Sequence, residues 1–226
     1  MSGAARRRLP LVGEQRASML DALRRHRDAQ SEALAAEARR LGSPCFSGCH
    51  GCCYQLVLVE LPDALVIARH LSATGRATPA LRGALEEHAS LADRLRSAAY
   101  LASVNGSVFL DRSSPEAACT IYEVRPSDCR TWFIHGVPDG SGCAPGALDR
   151  GAQHVKLPQV EEADLRFGTD WAARVFGPGA RPVWVPLALG VLAALDYWDQ
   201  GPQALGAWRA RLDAATQGSF AFTAEG

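Results

Sequence analysis

The chain has 226 residues, 47% of them hydrophobic and 21% charged, with 24 basic residues balancing 24 acidic ones. A chain of this size buries an adequate core without disulfides or metal for bulk stability. Zero net charge gives no footing to a nucleic-acid partner, and Arg6, Arg7 and Arg8 read as a short solvated run.

The first helix is expected over 14–41, where Met19, Leu20, Leu23, Leu34, Ala38 and Leu41 make a broken apolar stripe. Ser43-Pro44 then suits the start of a new helical turn. The run "YQLVLVELP" (54–62) fits a short strand or the approach to a helix, and 62–75 reads as helix ending near Gly75. A long amphipathic helix is expected over 78–103. Residues 105–146 change character, being rich in Gly, Pro, Ser and Asp, with short apolar pieces "SVFL" and "CTIYEV". Two or three helices follow, around 160–177, 183–198 and 201–215, and the tail 218–226 is expected to be poorly ordered.

The fold class is therefore mainly α, a helical frame around an irregular, cysteine-rich metal-binding loop region. Three segments are expected: an N-terminal helix (1–42), a cysteine-cluster domain (43–146) and a C-terminal helical segment (147–226). The longest apolar stretch, 182–198, contains Pro186 and Gly190 and is too short for a membrane span, so a buried core helix is expected. No secretory signal is visible, which predicts a cytoplasmic protein with reduced thiols.

The chemistry lies in "CFSGCHGCCY" at 45–54. Cys45, Cys49, Cys52 and Cys53 stand at i, i+4, i+7 and i+8, which places all four on one face of a helix at about 100° per residue. Gly48 and Gly51 loosen such a helix. Adjacent side chains diverge, so Cys52 and Cys53 suit a cluster or two metal positions better than one tetrahedral ion. Cys119, Cys129 and Cys143 raise the count to seven thiols, more than the four of one closed zinc site. Two ions with a bridging sulfur, or one iron–sulfur cluster with spare ligands, both fit that number. Arg125 and Arg130 flank Cys129 and are placed to offset thiolate charge, and Pro126 holds Arg125 extended. His50 and His135 lie near cysteines but read as surface or hydrogen-bonded residues. His26, His70, His88 and His154 read as helix-surface or loop residues, and Trp171, Trp184, Trp198 and Trp208 as core residues of helical segments.

"CFSGCHGCC" followed by "CTIYEVRPSDCR" resembles the YkgJ-like bacterial cysteine-cluster proteins, a family held to chelate zinc or iron, over roughly residues 45–143. The resemblance implies Cys45, Cys49, Cys52, Cys53, Cys119 and Cys129 as ligands. Many members carry another cysteine before a "PFL" segment. This chain has Ser107 in "SVFL" there, which leaves Cys143 as the further candidate.

The expected function is chelation of zinc or iron, with an iron–sulfur cluster or polynuclear site among the forms it takes. The expected partner is the metal ion itself, with no nucleic acid and no membrane. The alternatives are a cluster-dependent protein-modifying or redox enzyme, and a thiol-based redox sensor. A similar cluster also occurs in proteins that methylate lysines of flagellin, but no glycine-rich nucleotide loop supports methyl transfer here.

Overall fold

The computed structural model describes residues 14–45, 50–94, 106–113, 118–137, 151–176, 182 and 184–200. Cys49, Cys143, the 201–215 helix and the tail expected from sequence lie outside these residues.

The described chain is mainly helical. Helix α1 runs over Glu14–Arg40, α2 over Leu61–Ala73 and α3 over Pro79–Arg94. A short α4 spans Ser127–Thr131, α5 spans Pro158–Phe176 and α6 spans Leu187–Gln200. Three small antiparallel pairs complete it: β1 (Leu58–Glu60) with β6 (Trp184–Pro186), β2 (Leu110–Asp111) with β3 (Ala118–Cys119), and β4 (Ile134–His135) with β5 (Gln153–His154).

The gap in the α1 stripe is not a gap in burial. Leu20, Leu23, Arg27, Gln30, Leu34 and Ala38 are all buried, so two polar residues occupy the middle of the apolar face. Their spacing of three and four residues is that of one helix face. A polar side chain there requires partners, and α1 packs on α2, α4 and α5, which supply them.

The stretch expected to be one core helix from 182 divides at Pro186. Trp184–Pro186 pairs with Leu58–Glu60 in the register Leu58↔Pro186, Val59↔Val185, Glu60↔Trp184, and the helix begins only at Leu187. Proline has no N–H for a helix interior but is tolerated in a two-stranded edge. The Leu187 N–H donates to the Val57 carbonyl, which ties the start of α6 to the strand pair. Gly190 lets α6 lie against that pair, since a β-carbon there would sit 2.4 Å from Val59 Cγ1. α6 also packs on α2 and α3.

The largest core gathers Leu20 from α1, Val59 from β1, Leu65 from α2, Ile121, Trp171 from α5 and Leu195 from α6. It thus draws on all three segments of the sequence division. Two satellite clusters form around Leu34 and Val160, and around Ile134 and Ala152. Among the described residues, no helix is long and apolar enough to cross a membrane.

Candidate metal centre

Cys52 and Cys53 sit in a 3-10 turn, Gly51–Tyr54, rather than on a regular α-helix. The glycine at its start suits this irregular path. The turn is anchored across the molecule by the Ser107 N–H, which donates to the Cys53 carbonyl at 2.6 Å. Cys119 ends β3, opposite Leu110. Cys129 lies in the middle of α4.

These four thiols are near enough to influence one another, Cys129 with Cys52, Cys52 with Cys53, and Cys53 with Cys119. Cys53 is buried and the other three are partly buried. The contacts set their acidities apart. The Cys129 hydrogen bond, then that of Cys53, lowers the Cys52 pKa, helped by the Arg125 charge and opposed by burial. Cys119 is lowered chiefly by the Cys53 hydrogen bond. Cys53 and Cys129 are raised, as the donors in these pairs and by burial.

Of the other expected ligands, Cys45 has different surroundings. It packs with Trp132 and Val137 against Ile134 and Ala152, and its N–H donates to Ser43 Oγ at 3.2 Å. Among the described residues, no group of three or more His, Cys, Asp or Glu side chains is arranged to hold a metal ion. Near the thiols, His50 stands edge-on to Tyr54, and the Leu58 N–H donates to Asp128 Oδ2 at 2.8 Å.

The two arginines expected to offset thiolate charge have different roles. Arg125 stacks its guanidinium over the Tyr122 ring, 4.0 Å from the centroid, and its charge acts on Cys52 and Cys119. Its buried Nε has no hydrogen-bond partner among the described residues. Arg130 instead bonds Asp28, the Arg125 carbonyl and the Glu123 carbonyl, so it shapes the loop.

A second constellation, which the sequence reading missed, adjoins the thiols. Arg27 donates to both carboxylate oxygens of Asp63 at 3.1 Å, to Glu60 at 3.4 Å and to Gln30 at 3.2 Å, and it pairs with Asp164. Ser127 joins through its N–H to Asp63 and its hydroxyl to Asp164. Burial, then the neighbouring Asp63 charge, raises Glu60 to about 8. Burial likewise raises Asp128 to about 6. A β-carbon on Gly168 would sit 2.8 Å from a Glu60 oxygen, so that glycine makes room for the carboxyl group. His26, expected at the surface, is partly buried and stacks on Phe167 at 4.4 Å. His88 and His154 are also partly buried, and burial lowers all three histidines.

The segment "RPSDCR" serves both constellations. Arg125 and Cys129 face the thiols, Ser127 and Asp128 serve the charge network and β1, and Arg130 braces the loop. No protein-family model, no curated protein and no solved structure matches the chain.

Proposed function

We propose that the protein binds a thiophilic metal ion through Cys52, Cys53, Cys119 and Cys129, with zinc or iron the ions implied by the family resemblance. One observation carries the proposal: thiols from two segments more than sixty residues apart in sequence lie near enough inside the fold to shift one another's acidity. Cysteines placed only as small hydrophobes have no reason to form such a group beside an arginine. Closure as a tetrahedral zinc site or an iron–sulfur cluster requires four ligands at one centre, the number that Cys52, Cys53, Cys119 and Cys129 make up. A YkgJ-like membership and a reducing cytoplasmic location belong to the same proposal, because thiols persist there.

The test is metal and acid-labile sulfide analysis with a visible spectrum, on full-length protein purified without oxygen. Stoichiometric metal, lost in both Cys52→Ser and Cys129→Ser, is the expected result. Wild-type protein free of metal under those conditions overturns the proposal.

The cross-segment contacts also favour a second reading, a thiol-based redox sensor. Peroxide would then take two electrons and two protons from a neighbouring pair, such as Cys52 and Cys129, to give a disulfide and water. Thiol counts that do not change after mild peroxide would exclude it.

A further inference from the structure

A recess opens beside the cysteine turn, with Cys53 in one wall. Part of its lining is apolar: Val57, Leu187 and Ala188 are buried, and Val108 packs on the main core. Gln55, His88 and Ser107 supply polar side chains. The walls thus come from the 3-10 turn and the residues after it, from α3, from the loop before β2 and from the start of α6. Direct hydrogen bonds hold these parts together. The Ser107 N–H donates to the Cys53 carbonyl at 2.6 Å, the Leu187 N–H to the Val57 carbonyl at 3.0 Å, and the Phe109 N–H to Ser107 Oγ at 3.2 Å. Gly106, also in the lining, has a φ of +89°, and a β-carbon there would sit 2.8 Å from an Arg112 nitrogen and 3.2 Å from the Tyr54 ring. Glycine alone suits both that conformation and that close approach.

Size limits what can enter. The recess holds about 20 Å³ of space for water-sized groups and widens to about 360 Å³ when its open mouth is counted. One water needs about 10–15 Å³ on the first scale, so a ligand seats one small group inside and leaves the rest in the mouth. The lining then decides charge. None of the described residues that line the recess is Asp, Glu, Lys or Arg. Burial, the largest influence, holds His88 below its ordinary range, so its ring is uncharged at neutral pH. The charges that act on His88, those of Glu87 and Arg112, are opposite in sign and lie outside the lining. A carboxylate or ammonium group entering the recess would lose water without gaining a counter-charge, which is costly. The neutral imidazole, the Gln55 amide and the Ser107 hydroxyl each donate and accept hydrogen bonds. They match a group that does both.

We infer that this recess binds a small uncharged molecule of a few heavy atoms, with a primary-amide type of head beside Gln55, His88 and Ser107 and a short apolar body against Val57, Leu187 and Ala188. The inference goes beyond the metal-binding reading and needs no metal: Cys53 enters it only as part of the wall.

The test is saturation-transfer difference NMR on reduced, full-length protein, with propionamide and its carboxylate counterpart propionate as the probes. Propionamide should receive saturation and bind at least about tenfold more tightly than propionate, because only the carboxylate brings an uncompensated charge. Ala188→Leu fills the recess and should abolish the propionamide signal while circular dichroism stays that of wild type. If that variant fails to fold, Gln55→Leu and His88→Leu, at partly buried positions, decide instead. Each should weaken propionamide by about threefold or more, the loss of one hydrogen bond. Propionamide that receives no saturation overturns the inference, as does propionate bound equally well or binding that is unchanged in the variants. Metal analysis is a separate measurement, so protein that binds propionamide without metal removes the metal-binding function alone, and protein that holds metal without propionamide removes this inference alone.

Discussion

The charge network around Arg27 and the thiol group around Cys52 lie side by side and are built on opposite plans. The network is hung on regular elements: Arg27 and Gln30 on α1, Glu60 at the end of β1, Asp63 on α2 and Asp164 on α5. The thiols hang on a 3-10 turn, the end of a two-residue strand and a helix of five residues. In the network, one cation meets several carboxylates with most hydrogen bonds made. Around the thiols, Cys119 also takes a backbone hydrogen bond at Ile121, and the buried Arg125 Nε has no hydrogen-bond partner among the described residues. The network has such an atom too, since His26 Nε2 beside Asp164 makes no hydrogen bond among the described residues. The two regions share α4, so the fold fixes the position of Cys129 through Ser127 and Asp128.

The sharpest way to break this comparison is Arg27→Met. The substitution leaves Glu60, Asp63 and Asp164 buried or half-buried without their cation. Removing one partner of a buried ion pair costs about 3–5 kcal/mol, and urea denaturation should show a loss of that order. A loss of only about 1 kcal/mol, typical of exposed pairs, would mean that the network is not a structural centre.

Glu60→Gln tests the same region through pH. The folded carboxyl group holds its proton up to about 8, against an ordinary 4.5. Between those values the folded state binds the proton that the unfolded state has released, so stability falls as pH rises through this window and levels off above it. Asp128, raised to about 6, adds the same slope at lower pH. In the window from about 6 to about 8 the lowered His26, His88, His154 and Cys52 contribute slopes of the opposite sign, so the difference between the two proteins isolates Glu60. The wild-type urea midpoint should fall relative to that of the variant as pH rises across this window. Parallel curves for the two proteins would refute a buried, protonated Glu60.

Gly190→Ala probes packing that neither region uses directly. The new methyl meets Val59 and Val185 at 2.4 and 3.2 Å, inside a core where Val59 is fully buried. Overpacking of this kind costs about 1–3 kcal/mol. Calorimetry should register it as a lower Tm, and an unchanged Tm would mean that α6 can lift off the strand pair at no cost.

The two regions also differ in how much of them the sequence disclosed. The helical frame was legible because apolar periodicity reports a buried face directly. α1, α2, α3 and α5 fall within a few residues of the expected spans wherever the chain is described. The charge network was not legible, because Arg27 and Gln30 read as interruptions of a stripe. Burial of an arginine depends on carboxylates that arrive from residues 60, 63 and 164, and no local pattern announces them. The spacing 20, 23, 27, 30, 34, 38 carried the signal, since it continues the helix face through the polar pair. The thiol site was legible as a list of residues but not as a geometry. The helical arc drawn through Cys45, Cys49, Cys52 and Cys53 gives way to a 3-10 turn, and Cys45 packs elsewhere. The pairing of Arg125 with Tyr122, and of Arg130 with Asp28, needed the fold, because both arginines flank Cys129 equally well in sequence.

The smallest expected effect separates the regions most cleanly. Arg125 lies on the thiol side of the shared segment, stacked on Tyr122 and partly buried, and its charge favours the thiolates of Cys52 and Cys119. Arg125→Gln removes that charge while keeping a polar side chain of moderate length. Its first-order consequence is on acidity rather than folding, because the larger influence on Cys52 is the Cys129 hydrogen bond, which the substitution leaves in place. The urea midpoint should therefore stay within about 0.5 kcal/mol of wild type. The pH at which iodoacetamide alkylation of the reduced, metal-free protein reaches half its maximal rate should rise by less than about one unit. Stability lost on the scale of Arg27→Met, with alkylation unchanged, would place Arg125 among the braces of the fold and remove the distinction between the two regions.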